Sequence, residues 1–204
     1  MCGIVAGVAG RGRCSPVFLQ GVENALEYRG YDSCGVAVVR NGEIDRARSV
    51  ARVKDLAEQV QAEGMQGTVG IAHTRWATHG APTDKNSHPH RDCSGRIAIV
   101  HNGIIENFRE LRGYLQKNGH TLVSDTDSEV VAHLIEDAWA GPCKGDLVAA
   151  VRNAVRRLEG SWALAVVCAD ARARSSAPAM GLRSSWRRPR AAPMPPPTSR
   201  RSRA

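Results

Sequence analysis

The chain opens Met1-Cys2-Gly3. Once the initiator methionine is removed, Cys2 carries a thiol and a free α-amine on one carbon centre. A thiol is a strong nucleophile only as its thiolate, and its ordinary pKa is about 8.5. An α-amine titrates near 7.7–8.0, at roughly working pH, so it is poised to accept the thiol's proton directly or through water. That pairing is the chemistry of an N-terminal nucleophile. A cysteine after a start methionine is an ordinary residue on its own, so further groups must be found.

Three other stretches could supply them. His73-Thr-Arg-Trp-Ala-Thr-His-Gly80 follows an apolar strand and is dense in polar donors, as a ligand-binding loop is. Arg75 there offers a planar fork suited to one carboxylate. His73 and His79 lack helical metal-ligand spacing, and His88-Pro-His90 has no evident third ligand. These histidines read as polar loop residues, and no metal is called for. His101-Asn102-Gly103 ends another strand. Asn-Gly in that place reads first as a turn, yet an amide side chain and a free backbone N–H aimed at one point also make an oxyanion hole. Asp125-Thr-Asp-Ser-Glu129 opens a helix, where acids serve the cap and the dipole. Asp127 is the one that could instead hold an ammonium group.

The elements that must position these groups are mixed. Strands are expected over Ile4–Ala9, Gly35–Val39, Glu43–Ala47, Thr68–His73, Arg96–His101 and Ser161–Cys168, with Asn41-Gly42 as a tight hairpin turn. Helices are expected through Val17–Leu26 to a stop near Gly30, and over Val53–Gln61, Glu106–Asn118, Thr126–Trp139 and Asp146–Leu158. Gly119 stops one of these helices, and Thr126 to Glu129 has capping-box spacing at the start of another. Hairpins beside helix-separated strands imply layered sheets with helices outside.

Composition narrows the function classes. The longest apolar run, Trp162–Ala169, is far short of the roughly 20 residues of a membrane helix. The N-terminus lacks the basic start and longer apolar core of a secretory signal, so the cytoplasm is the expected compartment. Cys2, Cys14, Cys34, Cys93, Cys143 and Cys168 are scattered without C-x-x-C spacing, which indicates neither a disulfide framework nor a zinc site. The net charge is +8, but nine of the 28 basic residues and none of the 20 acidic ones follow Asp170. The first 170 residues are therefore within one charge of neutrality, which argues against a specific nucleic-acid surface.

The order and spelling of these stations are more specific than any one of them. MCGIVAG, Leu26-Glu-Tyr-Arg-Gly-Tyr-Asp-Ser33, HTRWATHG, HNGIIEN and SDTDSE together resemble the class II, N-terminal nucleophile glutamine amidotransferases over about residues 2–170. Within that group, LEYRGYDS and HTRWATHG are similar to the glutamine–fructose-6-phosphate aminotransferase family. The resemblance implies an α+β fold, the four-layer αββα sandwich of the N-terminal nucleophile hydrolases, incomplete here at its C-terminal end. It implies glutamine as substrate, released as glutamate and ammonia, without metal or organic cofactor. Position by position, Cys2 would be the nucleophile and its α-amine the base. Asn102 and Gly103 would form the oxyanion hole. Arg75 would hold the glutamine carboxylate and Asp127 its ammonium, with Trp76, Thr78 and His79 lining the pocket. Arg29 and Tyr31 would support the cysteine. Cys34 stands where relatives usually carry alanine.

After Ala169 the likeness stops. Residues 171–204 hold six of the ten prolines and the nine arginines, with no strand or helix period, and read as a disordered tail beyond a glutaminase domain of residues 1–170. The family continues with a strand spelled like Gly-Ser-Pro-Leu-Val-Val and a sugar-phosphate isomerase half, through which fructose 6-phosphate would enter, and the resemblance implies a homodimer for the full-length enzyme. A reading frame shifted by one base permits that spelling across Met180–Trp186, because methionine and tryptophan have single codons. A frameshift is therefore the expected origin of the tail, with a sheet edge left unpaired beside it.

Overall fold

Alternation along the strands decides the layering. The structure, a computed structural model, describes residues 2–8, 21 and 31–170, together with the backbone of 180–183. Its strands are β1 (Gly3–Val8), β2 (Ser33–Arg40), β3 (Glu43–Ser49), β4 (Val69–Arg75), β5 (His90–Arg91), β6 (Ile97–Ile105), β7 (Gly160–Cys168) and β8 (Met180–Arg183). Its helices are α1 (Val53–Ala62), α2 (Phe108–Lys117), α3 (Glu129–Ala140) and α4 (Leu147–Val155). The strands form two four-stranded sheets, in the orders β1-β4-β2-β3 and β5-β6-β7-β8, with every pairing antiparallel.

Successive side chains of a strand point to opposite faces, so each buried strand serves two cores. In β6 and β7, Ala98, Val100, Ala165 and Val167 meet Ala37 and Ile71 of the other sheet. The alternate residues Ile97, Ile99, Leu164 and Val166 meet Leu115, Ile135 and Val151 of the helices. On the far side, Val36, Val38 and Ala72 pack against Val53, Leu56 and Val60 of α1. The result is helix, sheet, sheet, helix, as expected. Asn41 and Gly42, at φ 53 and 82, turn β2 into β3 with the positive dihedrals a two-residue hairpin needs. Cys34, 1% exposed, is a small core residue.

Three differences from the sequence expectations stand out, and one expectation falls on residues that are not described. The helix expected through Val17–Leu26 and its stop near Gly30 lie outside the described residues, apart from Gly21, which is helical. Strand β6 does not end at His101; it continues through Asn102 and Gly103 to Ile105, because β7 pairs with it along that whole length. The capping box at α3 does not form: Ser128 makes no side-chain cap, and the Glu129 carboxylate instead accepts from the Val123 and Ser124 N–H groups at 2.9 and 2.8 Å. It ties down the approach to the helix instead of its first turn. Finally, part of the proline- and arginine-rich tail is a strand. Met180–Arg183 pairs with Ala163–Val166, so that stretch of β7 is not an open edge.

Candidate active site

Cys2 stands immediately before β1, and β1 pairs with β4 so that Gly3 lies opposite Thr74. That register brings the end of β4 beside the cysteine. The Trp76 N–H donates to Cys2 Sγ at 3.0 Å. From the other sheet, the Asn102 amide Nδ2 donates to the Cys2 carbonyl oxygen at 3.3 Å. The thiol and the amide thus meet where corresponding ends of the two sheets converge.

Asn102 is oriented by its neighbour. His73 Nε2 lies 2.7 Å from Asn102 Oδ1, and since an amide oxygen only accepts, the histidine must donate. This turns the NH₂ group of Asn102 toward Cys2. Burial pushes the His73 pKa down to about 3, so the ring is neutral and keeps the tautomer the bond requires. Gly103 follows at φ 133, a region closed to side chains, and a Cβ there would lie 2.0 Å from the Ser161 carbonyl oxygen of β7. Only glycine lets β6 and β7 close at this point.

A cavity of about 480 Å³ opens beside the thiol. Cys2, Arg75, Trp76, Thr78, His79, Asn102, Gly103 and Asp127 all line it. Eight of the ten anticipated site residues therefore share one hollow. Arg75 is 4% exposed, with Nη2 donating to the Gly80 carbonyl at 3.0 Å and Nη1 3.5 Å from Asp32. Asp127, 3% exposed, accepts from the Ile105 N–H at 2.9 Å, and His79 Nδ1 lies 3.9 Å from its other oxygen. Trp76 stands exposed at the rim. A cation and an anion on separate walls suit a zwitterionic ligand. Of the remaining two, Tyr31 accepts from the Val53 N–H at 2.8 Å, at the start of α1 and away from the cavity wall. Arg29 lies outside the described residues.

The model for a family described as "Glutamine amidotransferase domain" matches residues 73–177. The chain belongs to that family. Among curated relatives, the glutamine–fructose-6-phosphate aminotransferase of Bordetella pertussis is 53% identical over 174 residues, covering 83% of this chain and 28% of the relative. The enzyme of the same name from Caldanaerobacter subterraneus subsp. tengcongensis is 50% identical over 170 residues, 83% of this chain and 27% of the relative. The chain thus spans little more than a quarter of the length of the relatives it matches. Among solved structures, glutamine phosphoribosylpyrophosphate amidotransferase from B. subtilis aligns with a TM-score of 0.68 at 22% identity, covering 82% of this chain and 35% of that one. The amidotransferase domain therefore has the N-terminal nucleophile hydrolase fold.

Sequence reasoning missed part of this amidotransferase site. Asp32 accepts from the Ala77 N–H and pairs with Arg75, holding the end of β4 and the loop that leads to His79. It lay within the Leu26–Ser33 stretch, unassigned. His73 and His90 lie on strands and His88 in the loop before β5, but all three are buried, and they stack, His73 on His88 at 4.2 Å between ring centres and His88 on His90 at 4.6 Å. His101 joins them, with Nδ1 2.8 Å from Ser128 Oγ at the start of α3. Burial holds His88 well below its ordinary pKa, His90 at about 3 and His101 at about 4. The floor of the site is a neutral imidazole stack, and it adds no positive charge to the cavity.

Proposed function

We propose that this domain hydrolyses the side-chain amide of glutamine through Cys2. Once Met1 is removed, the α-amine takes the thiol proton and the sulfur attacks the amide carbon. The carbonyl oxygen becomes an oxyanion, which Asn102 Nδ2 and the Gly103 N–H stabilise. The amine returns the proton to the leaving nitrogen, and ammonia departs from a γ-glutamyl thioester. Water, deprotonated by the same amine, then cleaves the thioester to glutamate and free thiol. Arg75 holds the substrate carboxylate and Asp127 its ammonium, with Trp76, Thr78 and His79 around them. Arg29 and Tyr31 steady the segment leading to the cysteine. The observation that carries this reading is the convergence of Cys2 and the His73-oriented Asn102 on one cavity whose other walls carry Arg75 and Asp127.

The ammonia serves the conversion of fructose 6-phosphate to glucosamine 6-phosphate, in a part of the relatives beyond the matched span. The full-length enzyme is a cytoplasmic homodimer; among the described residues no helix is long and apolar enough to cross a membrane. Residues 1–170 form the glutaminase domain, and residues 171–204 are the product of a shifted reading frame. High-coverage sequencing of the gene tests the last point, and an uninterrupted in-frame read to a stop after Ala204 would sink it. For the activity, the 204-residue chain is purified, loss of Met1 is confirmed by intact mass, and glutamate release is compared with Cys2→Ala. Release that vanishes in the variant supports the assignment; equal release from both would falsify it.

A further inference from the structure

A second cluster of side chains lies outside the cavity that holds Cys2. Cys93 is in the turn between β5 and β6, His120 follows α2, and His133 and Glu136 stand one turn apart on α3. Their ligand atoms all lie within 4.8 Å of one another. His120 Nδ1 is 3.1 Å and His133 Nδ1 3.4 Å from Glu136 Oε2. Cys93 Sγ is 3.5 Å from His133 Nδ1 and 3.7 Å from His120 Nδ1. A tetrahedral zinc ion, bonded to nitrogen and oxygen at about 2.0–2.2 Å and to sulfur at about 2.3 Å, requires edges of roughly 3.3–3.6 Å between its ligands. Four of the six edges, at 3.1–3.7 Å, already stand near those separations, and the other two lie within 4.8 Å.

We propose that Cys93 Sγ, His120 Nδ1, His133 Nδ1 and Glu136 Oε2 bind one zinc ion that staples the β5–β6 turn and the α2–α3 connection to α3. The groups behind the ligands fit the assignment. Asp137 Oδ1 lies 2.7 Å from His120 Nε2, which leaves Nδ1 free of a proton and aimed at the ion. Glu129 Oε1 lies 3.8 Å from His133 Nε2, beyond hydrogen-bond reach, and its charge favours a proton on that nitrogen over Nδ1. The N–H groups of Cys93 and Ser94 hold the Glu136 carboxylate at 3.1 and 3.2 Å. A thiolate and a carboxylate balance the double positive charge, and the sulfur ligand disfavours magnesium or calcium. Four protein ligands leave no open position, so the ion's work is structural. Cys93 is exposed and gives the ion a way in. The staple matters to the active site because α3 begins directly after Asp127 and Ser128.

The test uses the full chain carrying Cys2→Ala, so that the nucleophile cannot bind the ion. The protein is stripped with a chelator and titrated with Co²⁺. One equivalent should develop the intense visible bands of tetrahedral cobalt and a thiolate-to-cobalt charge-transfer band, both erased by Zn²⁺. Cys93→Ser, its fold checked by circular dichroism, should lose the charge-transfer band, whereas Cys143→Ser should keep it. Asp137→Asn should weaken binding about 10- to 100-fold. A proton on His133 is the competing occupant of the cluster. If it prevails, the parent protein shows no thiolate-to-cobalt band, and the proposal fails without reference to any Cys93 variant. Persistence of the band in Cys93→Ser would place the ion elsewhere and overturn it equally.

Discussion

Asn102 does two things at once: its amide nitrogen reaches toward Cys2, and its oxygen is held by neutral His73. A donor fixed in advance at a developing oxyanion needs no reorganisation as the charge appears, which is why removing one such donor costs about 100- to 1,000-fold in kcat. Asn102→Ala should show that loss in glutamate release while KM for glutamine moves little. A variant whose KM rose instead, with kcat intact, would make Asn102 a substrate-binding residue. Gly103 is tied to its place by a different constraint. Its positive φ and the Ser161 carbonyl behind it exclude any side chain, so Gly103→Ala should separate β6 from β7 at the cavity wall. Loss of activity with an unchanged circular dichroism spectrum would locate the damage at that contact.

Helix α3 links the site to the core. Its first residue, Glu129, ties down the preceding chain through Val123 and Ser124, and the residues just before it present Asp127 to the cavity. Further along, Val130, Leu134 and Ile135 are buried against β6 and the neighbouring helices. Ile135 is fully buried, and close-packed surroundings relax only partly into a void. Ile135→Ala should therefore lower unfolding stability by about 2–5 kcal/mol, read as a shift of the urea midpoint at constant slope. A shift below about 0.5 kcal/mol, the usual range of surface changes, would mean that α3 is not packed on the sheet as described.

For the whole molecule, the buried histidine stack makes stability depend on pH. Burial is the main cause of the low pKa values. For His101 it is opposed by Asp127, and for His90 by Glu129, with Arg48 and Arg46 acting alongside burial. In the unfolded chain a histidine binds its proton near pH 6.5; in the folded chain His73 and His90 do so only at about 3 and His101 at about 4. Between those limits only the unfolded state takes up protons. The stabilisation from neutral burial is thus complete above pH 6.5 and lost as the pH falls toward 4, by up to about 1.4 kcal/mol per pH unit for each histidine. The urea midpoint should drop steeply from pH 7 to pH 4.5. Replacing His90 by Gln should flatten that slope, and an unchanged slope would remove His90 from the stack's titration.

The sequence by itself determined the family and the stations of the site, because Cys2, HTRWATHG, HNG and SDTDSE are local strings whose order survives any ignorance of the fold. It also implied layered sheets with helices outside, since hairpins and helix-separated strands are patterns of neighbouring residues. What tertiary structure decided were the matters that depend on distant partners. Asn102-Gly103 is read as a turn locally, yet it is strand because β7, about 60 residues on, pairs with it. The histidines are polar by type, yet burial between the sheet and the start of α3 makes them neutral. Glu129 sits at capping-box spacing, yet finds the Val123 and Ser124 N–H groups instead. The cysteine, two histidines and glutamate of the second cluster carry no spacing signal because three separate segments supply them. Chemistry written in contiguous residues can be read from the chain, whereas chemistry assembled from several segments exists only once those segments have packed.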